Sequence, residues 1–319
     1  MVGYTPSAVS QSLAQLEHEA GVALLERDGR RVRLTPAARG LVTRADRVVA
    51  ELDAAAADLA AADAAIRGAL TVGAFPSAAA NLVVPAVREL RERHPELCCT
   101  VREHEPEDGI SLLRSGELDV LVSESYDDVQ PAPTGGLERH HLVTEPLLLV
   151  LPKDHSAREP VDLTTLREAA WIAGVTGTQF GVVLEQTCRS AGFSPRILHR
   201  ADDAALHRSL AEAGLGIGLL PAMACTGPEK VRFARVAADS PRRHVSAFVR
   251  RGAARRPALA ATLDALRRRA GLESGRDAPG GGRRRPPVPS VGLAALERRM
   301  ASADRSAEEH RVVRHRGSA

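Results

Sequence analysis

The first regular pattern in the chain is helical: Val9, Leu13, Leu16 and Ala20 recur on one face, leaving Ser7, Ser10, Gln11 and Ala14 on the other. Thr5-Pro6 opens this helix, with Thr as N-cap and Pro at a position where its missing N–H costs nothing. Gly21 predicts its end, and the stretch from Leu24 to Leu34 reads as a hairpin with Asp28-Gly29 at the turn. Thr35-Pro36 repeats the start signal. It opens a helix in which Leu41, Ala45, Val48, Leu52, Ala55, Leu59, Ala62 and Ile66 recur in alternating steps of four and three. At 1.5 Å per residue this seam runs roughly 45 Å. It matches the a/d pattern of a coiled coil, so a dimer through this helix is expected.

Beyond Gly68 the period changes. Strands Leu70–Ala74, Leu97–Arg102 and Leu118–Val122 alternate with helices Ser77–Arg93 and Asp108–Ser115, which predicts parallel βαβ units. The alternation breaks at Leu137–Leu151, where two strands are expected with only Thr144-Glu145-Pro146 between them, as a crossing into a second lobe. That lobe takes a strand around Trp171-Ile172-Ala173, a helix Val182–Ala191, a strand Arg196–Arg200, a helix Asp203–Ala213 and a strand Gly216–Leu220. A strand His244–Arg250 and a helix Pro257–Ala270 return to the first lobe. Two lobes joined by two crossings make a cleft.

Composition narrows the picture. Apolar residues make up 44% of the 319 residues and aromatics only 3%, so the core is Leu, Val and Ala packing. The length suits one small and one large domain, or three small ones, plus tails. The longest apolar runs, such as Leu147–Leu151 and Leu215–Leu220, are too short to span a bilayer. No basic–apolar–small leader opens the sequence, so a cytoplasmic protein without a membrane partner is expected. Cys98, Cys99, Cys188 and Cys225 follow no metal-ligand spacing and read as reduced core thiols, so neither a metal nor another cofactor is expected. The formal charge of +3 is misleading, because from Glu273 onward ten arginines face six acidic residues, leaving the remainder slightly acidic. Local clusters must carry any nucleic-acid case. In the tail, Pro279–Pro289 cannot bury enough apolar surface to fold and reads as disordered, with a short helical turn expected at Leu293–Met300.

Four arginines, Arg27, Arg30, Arg31 and Arg33, crowd the hairpin, and a helix followed by a basic hairpin is the pattern of a winged helix. The segments Ser7–Glu17, Gly21–Arg27 and Val32–Ala37 resemble the recognition helix, wing and linker start of LysR-type transcriptional regulators. Ala213–Pro221 and Leu113–Val122 are similar to segments that recur in that family's effector domain. The resemblance implies an α/β fold in four parts: a partial winged helix-turn-helix at 1–35, a linker and dimerisation helix at 36–67, a two-lobed type 2 periplasmic-binding-protein-like effector domain at 68–271, and the tail at 272–319. Within the effector domain, lobe I takes about 68–145 and 243–271, and lobe II about 146–242. It also implies double-stranded DNA, a small-molecule effector and RNA polymerase as partners, and homodimers or homotetramers through the linker helix. Family members carry a first helix and most of a second ahead of the recognition helix. The expectation is therefore a true start upstream of Met1, the alternative being a natural fragment with impaired DNA binding.

A helix that starts at Thr5 and enters the major groove brings Ser7, Ser10 and Gln11 to base edges or phosphates, with Gln suited to adenine. A plain solvated face is the bland alternative. The wing arginines suit phosphate contacts, which position without reading sequence, although some of them can instead pair with Glu26 or Asp28. In the two-lobed part, ligands are expected where strand ends meet helix N-termini, which attract anions. Ser77 and Ala78 after the first strand, Ser123 after Leu118–Val122, Thr176 and Thr178 before Val182–Ala191, and Asp202 after Arg196–Arg200 outline one cleft for a small effector, to which an anionic group is suited. Ser77 is expected to cap its helix as well as to donate to a carboxylate. Phe75, Tyr126 and Phe180 lie near these loops, where they either stack on a ligand ring or fill core.

Two rival classes are weighed. An enzyme needs a base or nucleophile with an orienting partner, and no such pattern is present. Gly214-x-Gly216-x-Gly218 closes a helix and opens a strand, the reverse of a dinucleotide loop. A transporter's solute-binding protein shares the two lobes but not the linker helix. A truncated ligand-responsive dimer without its own DNA binding is a third reading.

Overall fold

The computed structural model describes residues 5–29, 31–61, 65–127, 129, 134–225, 230–237 and 241–271. Its N-terminal part is α1 (Pro6–Ala20), β1 (Leu25–Asp28), β2 (Arg31–Leu34) and α2 (Pro36–Ala61). The Thr5 hydroxyl accepts from the Ala8 N–H, and Gly21 at φ 66° ends α1 in the left-handed region. Glu17 ties α1 to the ribbon by accepting the Leu24 and Leu25 N–H groups at 2.7 and 3.0 Å. β1 and β2 pair antiparallel from Leu25↔Leu34 to Asp28↔Arg31. Thr35 caps α2 at Ala38 while donating to the Ala23 carbonyl at 2.9 Å, so one side chain fixes both the helix start and the loop before β1.

The two sides of α2 meet different surroundings. On one side Ala57 is buried, Asp53 pairs with Arg250 at 2.8 Å and Asp58 with Arg255 at 3.6 Å. Gly252, at φ 87°, lies so close that an added Cβ would strike the Ala50 carbonyl. The seam expected from the heptad pattern lies on the other side as far as Leu59, with Leu52 67% and Leu59 79% exposed, but its last member, Ile66, falls beyond the end of α2 and packs against the lobe I core instead. Ala62, the tail and Arg30 lie outside the described residues.

The body continues with β3 (Gly68–Ala74), α3 (Pro76–Ala78), a π turn Ala79–Val83, α4 (Val84–Arg93), β4 (Leu97–Glu103), α5 (Pro106–Ser115), β5 (Val120–Tyr126) and β6 (Leu137–Pro152). It is completed by β7 (Ala170–Ala173), α6 (Gln179–Ser190), β8 (Arg196–Arg200), α7 (Ala204–Glu212), β9 (Ile217–Pro221), β10 (Val231–Ala234), β11 (Arg242–Arg250) and α8 (Pro257–Arg269). Strand order is β4-β3-β5-β11-β6-β9-β7-β8, with β10 also on β6. β3 pairs parallel with β4 and β5, as βαβ connections require. Each lobe covers both sheet faces. In lobe I, α4 and α8 pack on one face and α5 on the other; in lobe II, α6 and α7 do the same.

Three expectations need correction. Leu137–Leu151 is one strand, not two, and it belongs to both lobes. Pro146 interrupts nothing because it sits where β6 changes partner: it lies opposite Arg242 of β11, and Leu147 opposite Pro221 of β9. The single helix Ser77–Arg93 carries a π turn instead, with the Val84 N–H reaching back to the Ala79 carbonyl just ahead of Pro85, which has no N–H to give. β10 was absent from the expected elements.

Candidate functional site

Both crossings between the lobes run side by side, through β6 and the start of β11, and they place Arg243 opposite Glu145 on one side and Tyr126 on the other. Arg243 is buried. Its Nε and Nη2 donate to Glu145 Oε1 at 2.8 and 2.6 Å, and its Nη1 to Glu124 Oε2 at 2.9 Å and Ser77 Oγ at 3.0 Å. The guanidinium lies 4.9 Å from the Phe75 ring centroid. Glu145 also accepts the Met223 N–H at 2.5 Å, carrying the network into lobe II. Burial pushes the Glu124 carboxyl up, against the pull of Arg243. The Tyr126 phenol, which donates to Glu124 at 2.9 Å, is pushed well up by burial and by that carboxylate, so it stays a neutral donor.

Beside this network opens a cavity of about 220 Å³ between the lobes. Phe75, Ser77, Glu124 and Tyr126 line it from lobe I, and the first turns of α6 and α7, with Arg208, from lobe II. Thr178 caps α6 at the Gly181 N–H, 2.9 Å, and Asp203 caps α7 at the Leu206 N–H, 2.7 Å. Asp202 accepts the Val175 N–H at 2.8 Å and so pins the loop that precedes α6. Arg208 donates to the Ala224 carbonyl at 2.9 Å, and among the described residues no carboxylate pairs with it. The cleft therefore offers one guanidinium free of an acidic partner, several carboxylates and three aromatic rings.

Of the expected cleft residues, Ser77, Thr178 and Asp202 line this cavity, as do Phe75, Tyr126 and Phe180. Ser77 does not cap a helix: the helix begins at Pro76, one residue earlier, and the Ser77 hydroxyl is engaged by Arg243. Ala78 is fully buried in the lobe I core, and Thr176 is exposed outside the lining. Ser123 is not at a strand end, because β5 runs on to Tyr126. Strand alternation puts Glu124 and Tyr126 toward the cleft and Ser123 on the opposite face. Glu124, Asp203, Arg208 and Arg243 were missed. Charge alone was no signal for them, because β6 also carries Glu138 and Arg139 and β11 also carries Arg242 and Arg250.

On the head, Ser7, Ser10, Gln11 and Arg27 are exposed. Ser7 Oγ lies 3.0 Å from Thr5 Oγ1. Arg33 pairs directly with Asp28 at 2.9 Å on the exposed surface, a screened contact of small energy. Arg31 opens β2 opposite Asp28. Cys188 and Cys225 are buried, and burial pushes the Cys188 thiol up to about 12 and Cys225 higher still. Among the described residues no helix is long and apolar enough to cross a membrane.

A helix with a basic hairpin, joined by a long helix to a two-lobed domain with a polar cleft, defines a DNA-binding regulator that responds to a small molecule. Residues 63–271 match the LysR substrate binding domain and residues 1–39 the bacterial regulatory helix-turn-helix protein of the lysR family, so the chain belongs to the LysR family of transcriptional regulators. It is 30% identical over 286 residues to a probable hydrogen peroxide-inducible genes activator of Streptomyces viridosporus, covering 87% of this chain and 88% of that one. A full-length OxyR variant of Pseudomonas aeruginosa shares the fold at a TM-score of 0.58 and 23% identity, over 86% of this chain and 90% of the other. Full-length CbnR, solved with its target DNA, does so at 0.52 and 24%, over 82% and 89%.

Proposed function

We propose that this chain is a cytoplasmic, homo-oligomeric transcription regulator without catalytic activity, in which residues 1–35 contact DNA, 36–67 link and dimerise, and 68–271 hold the effector. Ser7, Ser10 and Gln11 face the major groove in this reading, and Arg27, Arg30, Arg31 and Arg33 meet phosphates. The relative solved on its target DNA supports placing duplex DNA at this head. The exposed Leu52 and Leu59 seam supports a dimer through α2. RNA polymerase is the further partner through which such a regulator acts.

The observation that carries the sensing role is the cavity itself, bounded by both lobes and floored by the crossover network. An effector that bridges Glu124 and Tyr126 on one lobe to Arg208 and Asp202 on the other stabilises the closed arrangement by its differential affinity. Arg208 and the first turns of α6 and α7 meet its anionic group. The carboxylates are committed to Arg243, a loop N–H and helix caps, which suits ligand holding rather than acid–base chemistry. Burial keeps the Cys188 and Cys225 thiols protonated, so neither serves as a peroxide-reactive thiolate in this reading.

The test is an anisotropy titration of the full chain against fragments of its own genome at several salt concentrations. One preferred fragment is expected, with an affinity that shifts when the right metabolite is added. Neutralising Arg27 and Arg33 together lowers the salt slope by about 2. Equal, salt-independent binding to every fragment would sink the DNA role, and an Arg208→Ala protein with unchanged metabolite response would sink the cleft assignment.

A further inference from the structure

A second cavity, of about 100 Å³, lies on lobe I on the other face of β5 from the cleft. Its position follows from strand alternation. Ser123 and Ser125 point away from Glu124 and Tyr126, and their cross-strand partners Ser246 and His244 of β11 share that face. Arg139 of β6 reaches the same place, its Nε donating to Ser246 Oγ at 2.9 Å. Ile110 of α5 and Phe248 of β11 close the side toward the core.

The charged groups that line this cavity are Arg139 and Glu124, with His244 beside them, and the Glu124 carboxylate is already engaged by Arg243. Arg139 is exposed and has no carboxylate within ion-pair distance among the described residues, so its two η nitrogens are left to solvent or to a ligand. His141 and His244 stand beside it with ring centroids 6.5 Å apart, bridged through Thr144 Oγ1 at 3.3 and 3.0 Å. Burial, then the charges of Arg139 and His244, hold the His141 imidazole below its usual range. Two acidic residues come near: Asp127 is paired with His244 at 2.7 Å, and the Glu124 side chain is turned to Arg243 on the other face. The hydroxyls of Ser123 and Ser125 have no partner among the described residues, although Ser123 is buried. Uncommitted donors and an uncompensated guanidinium around a cavity of this size match one small oxyanion.

We infer that this cavity is a second ligand site, which takes an oxyanion the size of phosphate, sulfate or a carboxylate group through Arg139, Ser123, Ser125 and Ser246. Gln179, from the first turn of α6 in lobe II, lines both this site and the interlobe cleft. An anion bound here therefore touches the element that closes on the effector, and the two occupancies are coupled through it.

The experiment is a thermal-shift and calorimetric titration of the full chain with sodium phosphate, sodium sulfate and sodium acetate, each against sodium chloride at matched ionic strength. Phosphate or sulfate is expected to raise the melting temperature above the chloride control with a saturable heat, and acetate to do so only if a lone carboxylate suffices. Arg139→Gln should weaken that affinity at least tenfold, and Ser125→Ala, which removes an unpartnered hydroxyl and leaves the fold untouched, by several-fold. Arg208→Ala, which alters only the interlobe cleft, should leave anion affinity within twofold, so that failure here and failure of the cleft assignment are told apart. A shift equal to that of chloride, or one undiminished in both Arg139→Gln and Ser125→Ala, overturns the site.

Discussion

The two-lobed domain and the head with its long helix solve the burial problem in opposite ways. In the lobes every sheet face is covered by helices, and charged groups that enter the interior arrive with partners, as Arg243 does with Glu145 and Glu124. In α1 and α2 the apolar stripes stay open, with Val9, Leu16, Leu41, Val48, Leu52 and Leu59 all exposed. The lobes are finished within one chain. The helices present surfaces that only another molecule completes, which is how a part built to assemble differs from a part built to enclose.

Breaking the enclosed half should produce the largest effect. Arg243→Ala strands two buried carboxylates and is expected to cost about 3–5 kcal/mol in urea unfolding of the lobes. A loss under about 1 kcal/mol would mean that water reaches the network and that the crossover is not sealed. The contact between the halves comes next. Gly252→Ala needs a positive φ and drives a methyl into the Ala50 carbonyl, so a loss of about 1–3 kcal/mol is expected, with α2 lifting from lobe I. Hydrogen exchange along α2 reads this directly: unchanged protection there would show that the helix does not depend on its seat.

How much of this was legible follows the same division. Thr5-Pro6 and Thr35-Pro36 announced their helices because caps are local, and the α2 seam was visible because exposure does not disturb a heptad. The alternation of β3, α4, β4, α5 and β5 was equally plain. The cleft was half legible. Thr178 and Asp202 were found because they sit at element ends, whereas Arg243 was missed because its partners lie 98 and 119 residues away in sequence. Ser123 was assigned to the wrong face because β5 runs beyond Val122, and a strand that runs past its expected end turns each later side chain to the side it actually faces. Pro146 hid the continuity of β6 for a tertiary reason, the change of partner strand.

Charging the open half separates assembly from folding. Leu52→Glu with Leu59→Glu should change the unfolding free energy of the monomer by no more than about 0.5 kcal/mol, because both side chains are already in water. The same pair should shift the sedimentation profile from dimer to monomer and abolish tight operator binding. Folding loss on the scale of a buried leucine, about 2–5 kcal/mol, would instead mean that the seam packs within its own chain.

The smallest effect concerns the joint inside the head, where a single carboxylate replaces the packing used in the lobes. The Leu25 N–H and then the Leu24 N–H hold Glu17 below the usual carboxylate range. The folded group thus releases its proton more readily than the unfolded one. The tie between α1 and β1 is present above the ordinary glutamate value of about 4.3 and is lost as pH falls through the lower folded value. A carboxyl-carbon NMR titration should show Glu17 titrating below the exposed glutamates, with the Leu24 and Leu25 amides shifting in step, while Glu17→Gln removes the pH dependence and leaves the lobes unchanged. Because the lobes place no weight on Glu17, an acid transition that moved head and lobes together would show that the two regions fold as one unit after all.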